Sequence, residues 1–371
     1  MTDRVLILTE QIGGNGHFKA AQAIQKGLAN AAPRLQTEIA CGMPLVHPSL
    51  EQMIRKCYLH TLQYAPHLWG AAYRREGELS QWFKTPLGKL VANRIKDWVQ
   101  QVQPRTVVCT HALCLSAMGR IKERMKRPFS LGAAITDFDV NGFWVDPAVD
   151  FYLVAHERVK QRLCQRFGIS PGRIHITGIP IDPAFSVQQP AKSELRRMLG
   201  LDQNRLTVLI MGGGVGLGPM EACLTSFCRD WPEVQLVVVT GKNESLFRRL
   251  NDRFGEAEQV RVLGYVDRMA QWMNASDWIV SKPGGLTSSE ALAAGLPLVI
   301  CRPIPGQEER NTRFLLHQRV AVRQDSPAAI PRQMQSMQTD DAQWRRMRDN
   351  ALQLGRPDSA HRAADVILNT L

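Results

Sequence analysis

The sequence predicts an α/β protein: two doubly wound, Rossmann-like domains with parallel sheets and an interdomain cleft. Three observations carry that reading. Short apolar runs alternate with helical patterns through both halves of the 371-residue chain, which is the rhythm of parallel strands joined by crossover helices. The rhythm stops between Pro180 and Pro190, where Pro183 and a polar Gln188-Gln189 pair fall, and restarts at Thr207. Glycine-rich loops follow three of the apolar runs, and open parallel sheets bind ligands at the C-terminal ends of their strands.

In the first half, Val5 to Leu8 reads as a strand, Gly13-Gly14-Asn15-Gly16-His17 as a turn and Phe18 to Ala31 as a helix. Thr106 to Cys109, Leu131 to Ile135 and Phe151 to Val154 read as further strands. The second half offers Thr207 to Met211, Val234 to Val239, Val260 to Leu263, Trp278 to Val280 and Leu298 to Ile300. These runs are too short for helices and mostly apolar on both faces, as buried parallel strands are. Ala360, Ala363, Ala364, Ile367 and Leu368 have helical spacing. The expected domains are residues 1–185 and 186–357, with a final helix over 358–371 returning to the first domain. Pro180 to Pro190 is then a hinge for closure.

A hydrophobic content of 44% and a charged content of 22% are those of a folded chain. The eight cysteines include no C-x-x-C pair and no histidines at zinc spacing, so reduced thiols and no metal are expected. Asp3 ahead of the first apolar run argues against a signal peptide. No apolar segment approaches the roughly 18 residues of a spanning helix.

The net charge of +12 calls for an acidic partner. Lysines and arginines are dense between Arg55 and Arg127, interleaved with aromatic residues that include Trp82, Phe83 and Trp98. Leu87, Leu90, Val91, Ile95, Trp98 and Val99 follow helical spacing, while Lys89, Arg94 and Lys96 mostly fall elsewhere. The pattern fits an anionic membrane interface, or a core-facing helix with a solvated basic face. Zinc patterns, ribonucleoprotein motifs and basic recognition helices are missing, so nucleic acid is not the expected partner.

No glycine loop fits the dinucleotide fingerprint G-x-G-x-x-G or the phosphate loop G-x-x-x-x-G-K-[ST], which disfavours hydride transfer and mononucleotide hydrolysis. The most informative stretch is Ser281-Lys282-Pro283-Gly284-Gly285-Leu286-Thr287-Ser288-Ser289-Glu290, with Pro305-Gly306-Gln307-Glu308-Glu309-Arg310-Asn311 after it. Gly284 and Gly285 sit where a strand turns into a helix, so that backbone N–H groups can meet a phosphate. Glu290 lies one turn into that helix, within reach of a nucleotide's sugar hydroxyls. The second segment carries amides and carboxylates suited to a hexose.

Six motifs together resemble a known family. They are Gly14-Asn15-Gly16-His17 with Ala20-Ala21, Ile135-Thr136-Asp137-Phe138 with Gly142-Phe143-Trp144, Val149 to Ala155, Thr177-Gly178-Ile179-Pro180-Ile181, Ser281 to Glu290 and Ile304 to Asn311. In this order they resemble glycosyltransferase family 28, of the monogalactosyldiacylglycerol synthase and processive diacylglycerol glucosyltransferase type, related to MurG. The resemblance implies a GT-B fold and inverting transfer of galactose or glucose from a UDP-sugar to the free hydroxyl of diacylglycerol, giving a β-linked glycolipid. It also implies a peripheral protein at the cytoplasmic face of an anionic membrane. A MurG-like transferase with another lipid acceptor and a nucleotide-sugar epimerase of the same fold are the alternatives.

By motif match, Glu290 would bind the ribose hydroxyls, and Gly213, Gly214 and Thr287 the diphosphate. Gln307 and Glu308 would bind the sugar with Asn311 in support. Lys282 has two readings, a phosphate partner or a rim residue. The acceptor would enter from the first domain, near Gly14, Asn15, Gly16 and Asn141, with Trp82, Phe83 and Trp98 toward the membrane. His17 matches the general base, since imidazole titrates near working pH; a helix-capping or phosphate-contacting histidine is the alternative. Asp137 would orient His17, act as base itself or cap the following loop. Asp137-Phe138-Asp139 has the spelling of a metal-binding D-x-D but lies on the acceptor side, and no metal is expected. Relatives often carry histidine where this chain has Asn141, which cannot exchange a proton near neutral pH.

Overall fold

The computed structural model describes residues 3–11, 15–47, 76–125 and 129–371, the side chains of 76–87 and 341 excepted. The chain forms two compact units: Met1–Pro183 with Pro305–Gln307 and Asp358–Leu371, and Ala184–Ile304 with Glu308–Pro357.

The first unit holds β1 (Arg4–Thr9), β2 (Gln36–Cys41), β3 (Thr106–Cys109), β4 (Ser130–Ala134), β5 (Phe151–Val154) and β6 (Ile174–Ile176). They form a sheet in the order β2-β1-β3-β4-β5-β6, every pair parallel. Its helices include α1 (Gly16–Ala31), α2 (Gly42–Val46), α3 (Glu76–Val102) and α4 (Ala112–Lys122). Alternate strand residues face opposite sides, and both sides are covered. Leu6, Leu8, Val107 and Leu131 pack with Val91 and Ile95 of α3 and Leu115 and Met118 of α4. Val5, Ile7 and Val108 pack with Ala21, Ile24 and Leu28 of α1.

The second unit holds β7 (Thr207–Met211), β8 (Gln235–Val239), β9 (Val260–Leu263), β10 (Trp278–Ser281), β11 (Leu298–Ile300) and β12 (Ala321–Arg323). Their order is β12-β11-β10-β7-β8-β9, again all parallel. Relevant helices are α5 (Met220–Asp230), α6 (Gly285–Ala293) and α7 (Gln307–His317). The core joins Val208, Ile210, Leu236, Val238 and Val280 to Leu224 and Phe227 of α5.

Strand order reverses between β1 and β3 in the first sheet and between β7 and β10 in the second. At such a point the two connections leave in opposite directions and open a crevice at the C-terminal strand ends, where ligands of doubly wound sheets bind.

Helix α8 (Ser359–Leu368) lies against α1 in the first unit. Ala363, Ala364 and Ile367 join the layer of Val5, Ile7, Ile24 and Leu28. A Cβ on Gly27 would meet the Ala360 carbonyl oxygen at 2.4 Å, so the two backbones can be this close only with glycine there.

Three strands were not expected: β2, β6 and β12. Trp98 is half-buried against the first unit's core, where Ile95 and Val99 also pack. The exposed residues of α3 include Lys89, Leu90 and Arg94. Residues Arg55, Lys56, Tyr58, Tyr64, Trp69, Tyr73, Arg74 and Arg75 of the basic aromatic stretch lie outside the described residues, as does Gly14. Trp82 and Phe83 lie in α3, with their side chains outside the description. Among the described residues, no helix is long and apolar enough to cross a membrane.

Candidate active site

In the first unit the crevice between β1 and β3 gathers His17, Thr110, His111, Thr136 and Asp137. His17 stands in the first turn of α1, directly after Asn15 and Gly16. His111 is the N-cap of α4, and its Nδ1 accepts the Leu113 N–H at 3.3 Å. The register Leu8 to Cys109 places the residues after β1 beside those after β3, and the Thr110 N–H donates to the Leu8 carbonyl at 2.9 Å. Thr110 Oγ1 in turn donates to the His17 backbone carbonyl at 3.0 Å.

His17 Nδ1 is 2.8 Å from the Thr110 carbonyl oxygen and 2.8 Å from Thr136 Oγ1. A carbonyl only accepts, so Nδ1 carries the proton, and the neutral ring keeps its lone pair on Nε2. Desolvation pushes the His17 pKa below the usual 6.5, against the opposing pull of Asp137 and of the bond to Thr110. Near neutral pH the ring is therefore uncharged with Nε2 able to take a proton. Asp137 is 6% exposed, and the Gln307 side-chain amide, in the segment that clusters with this unit, donates to its carboxylate. Asn141 is buried and caps the following turn, its Oδ1 accepting the Phe143 N–H at 3.1 Å.

In the second unit the crevice lies between β7 and β10. Gly213 and Gly214 follow β7, and Lys282, Pro283, Gly284 and Gly285 follow β10. Ser281 Oγ donates to the Met211 carbonyl at 2.8 Å, tying the two strand ends together. Lys282 crosses between the loops: a Cβ on Gly213 would lie 3.4 Å from its Cε, and one on Gly284 would lie 3.6 Å from its Nζ. Gly213 also has φ +69°, a conformation that favours glycine. One ammonium group thus lies between two glycine loops and near the N-terminus of α6, a concentration of positive potential suited to a diphosphate.

Lys282 Nζ meets Glu308 Oε1 at 2.5 Å, and the Ile304 N–H donates to Glu308 Oε2 at 2.8 Å. Asn311 is fully buried, and its Nδ2 donates to the Pro283 carbonyl at 3.1 Å, fixing α7 to the glycine loop. Thr287 and Glu290 lie half-buried on the first two turns of α6. Among the sequence-predicted residues, Gly213, Gly214, Lys282, Gly284, Gly285, Glu308 and Asn311 are thus brought together within this unit, with Thr287 and Glu290 on the adjoining helix. His111 was not singled out from the sequence. Its signal was its place two residues after the run Thr106 to Cys109, just past a strand end.

Two family models match. Residues 17–181 match the monogalactosyldiacylglycerol synthase family, and residues 139–368 match the UDP-N-acetylglucosamine 2-epimerase family. The processive diacylglycerol β-glucosyltransferase of Bacillus subtilis (strain 168) is 28% identical over 368 residues, spanning 98% of this chain and 94% of the relative. A solved S. aureus MnaA–UDP co-structure matches with a TM-score of 0.63 at 14% identity, over 100% of this chain and 95% of that one. Acinetobacter baumannii MurG matches with a TM-score of 0.58 at 14% identity, over 99% of each chain. At these identities the structural likeness speaks for the fold, which is GT-B. Fold and site define a nucleotide-sugar protein of the class that the UDP-N-acetylglucosamine 2-epimerase model describes over more than half of the chain. Within that class, the chain belongs to glycosyltransferase family 28, of the monogalactosyldiacylglycerol synthase type.

Proposed function

We propose that this protein is an inverting transferase that moves a hexose from a UDP-sugar to the free hydroxyl of diacylglycerol. The observation that carries the reading is the pairing of chemistry with topology. A neutral imidazole with a fixed tautomer stands at one switch point, and a cation between two glycine loops at the other. Inversion needs a base to draw the proton from the acceptor hydroxyl as its oxygen attacks the anomeric carbon, while UDP leaves from the opposite face. His17 Nε2 is that base, and Asp137 orients the ring and stabilises its charged form.

The first unit is the acceptor side and the second the donor side. Negative charge grows on the departing diphosphate. Lys282, the N–H groups after β7 and the N-terminus of α6 answer it, with Thr287 contributing its hydroxyl. In this reading these groups supply the positive potential of the site and no metal is required. Glu290 binds the ribose hydroxyls, and Gln307 and Glu308 bind the hexose, with Asn311 holding the loop that presents them. At the membrane, α3 offers Lys89 and Arg94 beside Leu90, which is 42% exposed, and Leu45 of α2 is 41% exposed. Basic residues with exposed leucines suit an anionic lipid surface, as expected of a peripheral protein at the cytoplasmic face. Glucose is the sugar to test first, because the relative spanning nearly the whole chain is named a glucosyltransferase.

The match of residues 139–368 to the epimerase model favours a second reading, a UDP-sugar epimerase. The two separate in one experiment: purified protein, vesicles containing diacylglycerol, and UDP-glucose or UDP-galactose. A β-hexosyl-diacylglycerol with release of UDP is the expected result. An altered nucleotide sugar without any lipid product overturns the transferase reading.

A further inference from the structure

The imidazole of His111 lies against that of His17, ring centroids 4.8 Å apart and planes at 89°. Two different helices bring the rings together. One is in the first turn after β1 and the other caps the helix after β3, on the two sides of the crevice that the strand order opens. Both rings are half-buried, and local hydrogen bonds fix both tautomers in opposite senses. His17 donates through Nδ1 to the Thr110 carbonyl, so its Nε2 is an acceptor. His111 accepts the Leu113 N–H on Nδ1, so in the neutral ring its Nε2 carries the proton and is a donor. Neither Nε2 makes a hydrogen bond among the described residues. Adjacent rings therefore offer one acceptor and one donor, which is the complement of an alcohol: a hydroxyl donates one hydrogen bond and accepts others.

We propose that His111 binds the acceptor hydroxyl together with His17, its Nε2–H donating to the oxygen while His17 Nε2 receives the oxygen's proton. The assignment rests on the transferase reading above. In the transfer step the O–H proton moves to His17 Nε2 and an oxygen electron pair forms the bond to the anomeric carbon. The bond from that carbon to UDP breaks, its pair leaving with UDP. His111 keeps its proton throughout. Its hydrogen bond strengthens as negative charge grows on the oxygen, the situation in which a preorganised donor contributes most.

Desolvation, and then the neighbouring His17, hold the His111 pKa well below the usual 6.5. The ring therefore stays a neutral donor across the working pH range. That also keeps a second positive charge away from His17 when it takes up its proton.

The contrary view is that His111 only caps α4, and two substitutions separate the roles. His111→Asn keeps an oxygen near Nδ1 to accept the Leu113 N–H but removes the distal donor. His111→Gln carries an amide N–H toward the Nε2 position but loses the cap. Both are measured in the full chain for denaturation midpoint, UDP affinity and kcat and KM for diacylglycerol in vesicles. H111N is expected to unfold and to bind UDP as the wild type does, while kcat/KM for the acceptor falls about 100-fold. H111Q is expected to unfold earlier yet to keep at least ten times the acceptor kcat/KM of H111N. Activity that follows the midpoint in both variants, or H111N within threefold of wild type, overturns the assignment. Failure of the transferase reading is distinguishable, because the wild type itself would then form no glycolipid, and the role of His111 would fall with it.

Discussion

Replacing Lys282 with Met keeps the length of the side chain and removes the ammonium between the glycine loops. The Lys282–Glu308 pair is mostly buried, with 17% and 9% of the two side chains exposed. Breaking a fully buried pair from one side costs about 3–5 kcal/mol, because the other charge is left without its partner. Residual exposure of Lys282 and the Ile304 N–H on the other carboxylate oxygen lower that to about 2–3 kcal/mol for Lys282→Met. Urea unfolding should register this loss. Lys282→Met with Glu308→Gln leaves no orphaned charge, and the new side-chain amide oxygen can still accept from the Ile304 N–H, so most of the stability should return. UDP binding, measured by titration calorimetry, should not return. A hydrogen bond to a charged group contributes about 1.5–3 kcal/mol, so UDP affinity should fall about 10- to 100-fold in both variants. UDP affinity within threefold of wild type would remove Lys282 from the diphosphate site. Strictly additive stability losses in the double variant would show that the pair is not coupled.

His17→Ala should abolish hexose transfer while leaving UDP affinity nearly intact, as measured by product formation beside calorimetry; unchanged turnover removes His17 from the base role. The acid limb of kcat/KM should fall at a pH below 6.5, since desolvation lowers the His17 pKa. The same shift, with that of His111, makes stability depend on pH: below 6.5 the unfolded chain takes up protons that the native rings refuse. Stability should thus be constant from these groups above pH 6.5 and decline as pH falls below it, with a shallower decline in the His17→Asn, His111→Asn double variant under urea unfolding. Gly27→Ala would ordinarily stabilise a helix interior by up to about 1 kcal/mol. Here the added Cβ meets the Ala360 carbonyl, and overpacking should destabilise by about 1–3 kcal/mol in the same assay.

Central strands were legible in the sequence because both of their faces are covered, which leaves an unbroken apolar run, as in Val208, Leu209 and Ile210. The missed strands are sheet edges. β2 carries Gln36, Thr37 and Glu38 and is mostly half-buried, while β6 and β12 have three residues each. Edges need less apolar surface, so their signal is weak. The clustering in the second unit was legible because Lys282 and Asn311 lie in motifs whose order is fixed by the chain. The Lys282–Glu308 pairing was not, since it spans 26 residues and depends on the turn at Pro305 and Gly306. The strand-end position of His111 was visible, but its pairing with His17 was not, for a topological reason. Nothing in the spacing of residues 17 and 111 says that β1 and β3 are neighbours. The half-burial of Trp98 was not legible either, because an aromatic ring beside basic residues reads alike whether it faces lipid or core.

Helix α8 has a consequence for how the protein is made. The first unit's layer of Val5, Ile7, Ile24 and Leu28 is closed by Ala363, Ala364 and Ile367, which are translated after every residue of the second unit. A chain emerging from the ribosome can bury the second unit's core while the first still presents an open apolar face. Copies that stop short of residue 358 keep that face uncovered, in the form that chaperones and proteases recognise. Helix α8 thereby completes the first unit only after the second has been translated, and the first unit cannot be produced alone by cutting the chain at a single point.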